Sequence, residues 1–203
     1  KLYEYFCKAE IIICSAKEAE LTKLVENASR DVQIAFANEL SMICGEMGVD
    51  TSTVIKLANK HPRVNILQPG PGVGGHCVAV DPWFIISANP SLAKLMATAR
   101  AVNNDKASWV VAQTEKLENK HTASRIVCWG LTYKKDTGDF RESPSLNIFN
   151  ILCQKFPQKT FAVDPYHRLL DGYEGELFKL DFDRYEDDIN ILLVNHEQFK
   201  GLS

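Results

Sequence analysis

Cys77 closes a loop that carries Gly70, Gly72, Gly74 and Gly75 among Pro69 and Pro71, and a carboxylate, Asp81, follows four residues later. Glycine lets a ligand approach the main chain closely, and proline stiffens the loop around it. The result is a rigid, slender platform that ends in a thiol with a nearby base. Those are the parts covalent catalysis on a polar substrate requires. The same residues also fit a surface Gly/Pro loop that happens to contain a cysteine, and the segment alone leaves both readings open.

Two further groups carry chemistry. Lys23, Asn27 and Asp31 step by four along a helical pattern and so share one face. A solvated Lys–Asp rim is the simpler reading of that face. Asn27 argues against it, because asparagine is a poor mid-helix residue unless its amide has a partner. Farther on, Lys134 and Arg141 flank a loop that ends at Ser143-Pro144. A helix starting there, after a strand, makes a ready anion site at the carboxyl end of a sheet. An ordinary charged loop fits equally well, and the segment lacks the G-x-G-x-x-G pattern of a dinucleotide site.

The bulk composition narrows the setting. The chain has 203 residues, a net charge of -3, 45% hydrophobic and 24% charged residues, which suits one large or two small soluble domains. Without a basic excess, no nucleic acid or acidic membrane is expected as partner. No apolar run is long enough to span a bilayer. Six cysteines occur and none forms a C-x-x-C pair, so a reducing cytoplasm is expected, with no disulfide frame and no metal.

The elements that must position these groups follow from periodicity. Ala9–Cys14 reads as the end of a helix and then a buried strand. A long helix is expected from about Lys17 to Gly48, with Ser15 and Glu18 as a capping box and Gly48 as C-cap. Its inner stripe is expected to be Leu21, Leu24, Val25, Ala28, Val32, Ala35, Phe36, Leu40, Ile43 and Met47. A helix capped at Asp50 or Thr51 leads to Lys60, a short one spans Trp83 to Ala88, and Asn89-Pro-Ser91 caps another long helix. That last helix is expected to turn Leu92, Leu95, Met96, Ala99, Val102, Trp109, Val110, Ala112 and Leu117 inward. After a polar linker, strands at 125–129, 159–163 and 188–194 alternate with a helix from Ser143, the pattern of a parallel α/β sheet. The start at Lys1 and a helix and strand expected after Gly201 read as a piece of a longer protein.

Taken together, four ordered motifs resemble the nucleotide-sugar 6-dehydrogenases, the UDP-glucose and UDP-mannuronate dehydrogenase family. They are Glu20-x-x-Lys23-x-x-x-Asn27, Asn38-Glu39, Gly74-Gly-x-Cys-x-x-x-Asp81 and Lys134…Asp139-x-Arg141-x-Ser143-Pro144. The stretch from His61 to Cys77 resembles the subgroup that acts on UDP-N-acetyl-D-mannosamine. Glucose enzymes usually carry an aromatic residue where His76 stands and Pro-Lys where Ala79-Val80 stand. The resemblance implies an α + α/β chain: residues 1–14 as the remnant of an N-terminal NAD-binding domain, 15–119 as a central all-helical dimerisation domain, and 120–203 as a Rossmann-like, UDP-binding parallel α/β domain.

The activity so implied is a four-electron oxidation of the sugar C6 alcohol to a carboxylate with NAD as acceptor, in the whole enzyme rather than in this chain. Cys77 would form the thiohemiacetal and thioester, Lys23 and Asn27 would donate to the oxyanion, and Asp81 would orient or deprotonate water. Gly72, Gly74, Gly75, His76 and Arg63 would meet the sugar, Arg63 across a homodimer, while Lys134 would hold the UDP and Arg141 would touch NAD or its domain interface. Another UDP-hexose, such as UDP-N-acetylglucosamine, is the near alternative. A non-catalytic dimerisation and nucleotide-binding module is the distant one.

Overall fold

The computed structural model describes residues 2–169, 177–178 and 187–200. Helix α1 (Ala16–Met47) begins at the expected capping box: Ser15 Oγ accepts from Glu18 N, and Ser15 N donates to Glu18 Oε2. It ends at Gly48, whose φ of 67° is the left-handed value a C-cap requires. Helix α2 (Thr51–Ala58) is capped by Asp50, and α3 (Asp81–Ala88) starts with Pro82 in its first turn. Helix α4 (Lys94–Lys120) begins later than expected, with Ala93 as an N-cap that makes no side-chain bond, so Asn89 and Ser91 are not its caps.

Four parallel strands follow, β1 (Ile126–Trp129), β2 (Thr160–Val163), β3 (Leu177–Phe178) and β4 (Ile189–Leu192), in the order β3-β2-β1-β4. Helix α5 (Pro144–Lys155) crosses from β1 to β2, capped by Ser143 as expected. The two-residue β3 was not expected from sequence. The central strand β1 is buried along its whole length. Its core includes Ala107 and Val111 of α4, Ile148, Phe149 and Leu152 of α5, and Ala162 of β2. Helix α4 therefore serves both halves of the chain: it packs on α1, and its Ala107 and Val111 join the core of the sheet. The chain leaves β1 toward β2 on one side, while β4 lies on the other. In open α/β sheets the carboxyl ends of strands at such a reversal are where ligands bind. The helix and strand expected after Gly201 lie outside the described residues.

Three expectations are corrected. Residues 11–14 form no strand: Ile12 and Ile13 are exposed, and no strand among the described residues pairs with them. The stripes expected to be buried are so only in part: Ala28, Ala35 and Ala99 are buried, but Leu21, Val25, Phe36, Ile43 and Met47 of α1 and Leu95 and Leu117 of α4 are open to solvent, together with Leu92 just before α4. The faces that meet instead are small and polar. Asp31, Asn38 and Ser41 of α1 lie buried against Arg100, Asn103 and Lys106 of α4. Asp31 is thus no part of a solvated rim: Arg100 Nη1 donates to its Oδ1 at 2.6 Å, and Asn103 Nδ2 donates to the same oxygen at 2.8 Å.

Candidate active site

The loop that carries Cys77 is held at both ends. At its stem, Gly70 N donates to Asn38 Oδ1 at 2.8 Å, while Asn38 Nδ2 donates to Asn103 Oδ1. Asn38 thereby ties the loop to both long helices, a role its place in a motif had not revealed. At its tip, Cys77 O accepts from Val80 N and from Asp81 N at 2.8 Å. That turn feeds directly into α3 and sets the thiol one helical turn before the Asp81 carboxylate.

The glycines are required by what lies against them. A Cβ on Gly74 would meet Glu142 O at 2.4 Å, Pro144 Cδ at 2.8 Å and Tyr133 Cβ at 2.9 Å, and one on Gly75 would meet the Tyr133 ring. The hairpin therefore lies flat on residues 133–144. Its close approach is to another part of the chain, and Tyr133 is a partner that sequence reasoning missed. The amides of Gly72, Gly74 and Gly75 donate to nothing among the described residues; Gly72 and Gly74 are half-buried and Gly75 is buried.

Helix α1 brings the amide and the amine. Asn27, nearly buried, donates through Nδ2 to Asp81 Oδ2 at 2.6 Å, which supplies the partner its mid-helix position demanded. Lys23 is exposed one turn earlier and pairs with Glu26 at 3.0 Å. That hydrogen-bonded carboxylate holds the ammonium above the ordinary lysine range. The Cys77 sulfur and the Asp81 carboxylate push the same way from farther off. Cys77 itself is exposed, whereas Cys44 and Cys128 are buried. Beside this cluster lies an open cleft of about 730 Å³ lined by Lys23, Glu26, Asn27, Arg30, Gln33 and Leu67.

The remaining candidates are more dispersed. His76 is exposed at the hairpin tip, where its charge contributes to lowering Asp139. Arg141 folds back on Asp139, with Nη2–Oδ2 at 2.6 Å and Nε–Oδ1 at 2.9 Å; these bonds hold the Asp139 carboxyl down at about 2. Lys134 is exposed, and its ammonium makes no hydrogen bond or ion pair among the described residues. Arg63 sits on an exposed turn after α2, where only its backbone N–H is engaged, by His61 Nδ1. It does not join the Cys77 cluster of its own chain. No group of acidic, histidine or cysteine side chains that could hold a metal occurs among the described residues, and no described helix is long and apolar enough to cross a membrane.

Known proteins resemble this chain along its whole length. The chain is 47% identical over 204 residues to an NDP-N-acetyl-D-galactosaminuronic acid dehydrogenase of Ralstonia nicotianae, covering 100% of this chain and 48% of that protein. It is 44% identical over 214 residues to the UDP-N-acetyl-D-mannosamine dehydrogenase of Escherichia coli K12, covering 100% and 51%. A solved UDP-N-acetyl-mannosamine dehydrogenase from S. aureus superposes with a TM-score of 0.79 at 41% identity, over 100% of this chain and 47% of that one. The chain thus spans about half the length of the curated relatives it matches. Family models for the central domain and the UDP-binding domain match residues 17–105 and 127–203 in that order, the helical half and the sheet half described above, and the chain belongs to the UDP-glucose/GDP-mannose dehydrogenase family.

Proposed function

We propose that this chain forms the sulfur-chemistry and nucleotide-holding part of a dehydrogenase that oxidises C6 of a UDP-N-acetylhexosamine to the uronate, with UDP-N-acetyl-D-mannosamine as substrate. The observation that carries the reading is the convergence of α1 and α3: Asn27, one turn after Lys23 on α1, bonds Asp81 at 2.6 Å, and Asp81 N donates to Cys77 O. Relatives of similar identity named for mannosamine and galactosaminuronate substrates support an N-acetylated hexose.

On this reading the Cys77 thiolate adds to the C6 aldehyde, forming a C–S bond and an oxyanion. Lys23 and the free N–H of Asn27 donate to that oxyanion; loss of one such donor costs roughly 3–4 kcal/mol. Once the carbon has been oxidised to the thioester, Asp81 takes a proton from water. The water oxygen then attacks and expels the Cys77 thiolate. Lys134, with a free ammonium, pairs with the diphosphate of UDP.

NAD is the proposed hydride acceptor of the whole protein, and two NAD molecules would be needed, one for each two-electron oxidation. The described residues do not fit a dinucleotide cradle. The turn after β1 is blocked at Gly130, where even a Cβ would meet Val194 O at 2.4 Å, and Arg141 is already taken by Asp139. No step here is therefore assigned to residues that would hold it. The exposed apolar stripe of α1, with Leu21, Val25, Phe36, Ile43 and Met47, suits a second copy of the chain and favours a homodimer. The reduced thiols fit a cytoplasmic setting.

The test is Cys77→Ser in the intact protein, with NADH formation followed on a panel of UDP-sugars. Loss of turnover with UDP-sugar binding retained is expected. Unchanged turnover would remove the sulfur mechanism, and NADH formation with UDP-glucose alone would overturn the substrate assignment. Binding of UDP-sugar without turnover by the wild type would leave a non-catalytic binding module.

A further inference from the structure

The turns that follow β1 and β4 are joined through one imidazole. His196, fully buried after β4, accepts from Asp136 N at 3.0 Å through Nδ1. A backbone amide can only donate, so Nδ1 carries the lone pair and the ring proton sits on Nε2. Nε2 lies 3.1 Å from Thr132 Oγ1 and donates to it; the Thr132 hydroxyl is then free to donate to Lys134 O, at 2.9 Å. One ring thereby fixes the carbonyl of Lys134 and the amide of Asp136, the two peptide groups that bracket the turn.

The neighbours lock that ring. Asp164 Oδ2 lies 3.6 Å from Nε2 but accepts from Leu131 N at 2.7 Å, and the Tyr166 and Phe199 rings pack edge-on at 5.4 Å. Outside, Glu197 N donates to Asp136 Oδ1 at 2.8 Å and Lys135 pairs with Glu197 at 3.0 Å. Asp136 has a φ of 54°, a left-handed conformation that aspartate tolerates better than most non-glycine residues. All of this rigidity serves a turn whose outward side chain is the unpaired ammonium of Lys134.

We propose that His196 is a positioning residue for nucleotide binding, acting through Lys134: as the neutral Nε2–H tautomer it holds the Lys134–Asp136 turn so that the ammonium meets the diphosphate without further ordering. Pre-ordering of this kind raises affinity by removing the entropy cost of fixing the turn. The inference rests on the reading of Lys134 as the residue that binds UDP.

The test is a double-mutant cycle on UDP affinity, measured by titration calorimetry on the intact protein, which needs neither Cys77 nor an electron acceptor. His196→Phe keeps the ring and removes both bonds, and it is expected to weaken UDP about tenfold. His196→Asn, whose Oδ1 can still accept from Asp136 N, is expected to stay within about threefold of wild type. In a Lys134→Ala background, His196→Phe is expected to add less than about twofold.

An undiminished His196→Phe effect in that background would overturn the proposal, and so would wild-type affinity in His196→Phe while Lys134→Ala binds weakly. Wild-type affinity in Lys134→Ala would instead overturn the reading of Lys134, and the inference with it. Should His196→Phe not fold, Thr132→Val cuts the same link to Lys134 O and faces the same outcomes.

Discussion

Asn27 Nδ2 and Asp81 Oδ2 meet at 2.6 Å across 54 residues of sequence, joining the middle of α1 to the first turn of α3. The bond is charge-assisted and part-buried, and it fixes the direction of the carboxylate next to the thiol turn. Asn27→Ala removes the anchor and one oxyanion donor together, and kcat of the intact protein should fall on the order of 10²–10³-fold with the substrate KM little changed. Asn27→Asp should do worse, because it sets two carboxylates against each other. Steady-state kinetics on the two variants decide this; wild-type kcat in Asn27→Ala would show that the contact is structural only.

The Asp31–Arg100 pair is buried between α1 and α4, and it is incompletely satisfied: Asp31 Oδ2 and Arg100 Nε have no partner. Burial raises the Asp31 carboxyl above its ordinary value even though Arg100 pulls it down. Asp31→Ala leaves a buried guanidinium uncompensated, which costs roughly 3–5 kcal/mol. Asp31→Leu with Arg100→Met together should recover most of that loss, since an apolar pair carries no desolvation penalty. Denaturant titration of the single and double variants measures both effects.

Gly74 lies where the hairpin touches residues 133–144, with three heavy atoms within 3.0 Å of where an alanine Cβ would stand. Two of them are backbone or ring atoms that cannot swing aside. Gly74→Ala should therefore lift the hairpin, destabilise the fold by about 1–3 kcal/mol and lower turnover further than stability alone explains. Gly70→Ala is the control, because only a distant backbone oxygen at 3.8 Å faces that position. Thermal unfolding and turnover measured side by side separate the two.

Local rules made much of this molecule legible. Ser15 and Glu18, Gly48, Asp50 and Ser143 mark helix ends because a capping bond needs only residues a few positions apart. The short spacing of Cys77 and Asp81 and the demand of Asn27 for a partner pointed to the site for the same reason. The burial of α1 and α4 was not legible. Periodicity finds the apolar face and assumes that it turns inward, whereas here Asp31, Asn38 and Ser41 pair with Arg100, Asn103 and Lys106 across the contact. Paired asparagines in mid-helix, such as Asn103 and Asn104, were the available signal. His196 was also out of reach, because its partners Thr132 and Asp136 lie about 60 residues away and nothing local marks them.

Lys106 gives the last prediction. Its ammonium is buried, donates to Ser41 Oγ at 2.7 Å and lies 3.9 Å from the centre of the Trp109 ring, with no carboxylate beside it among the described residues. Burial lowers it from 10.5 to about 8. Between those two values the unfolded chain binds the proton more tightly than the folded one, so stability should rise with pH across that window. Below about pH 8 both states are protonated and the full penalty, up to roughly 3 kcal/mol, is present. Lys106→Met removes the titrating group and keeps the stem that packs on Trp109. The variant should match or exceed wild-type stability at pH 7, and the difference should shrink or reverse toward pH 10. Tyrosine and cysteine titration affects both proteins alike and cancels in that difference, so urea unfolding of the pair at several pH values isolates Lys106. A difference that stays constant with pH would show that the buried amine carries no penalty.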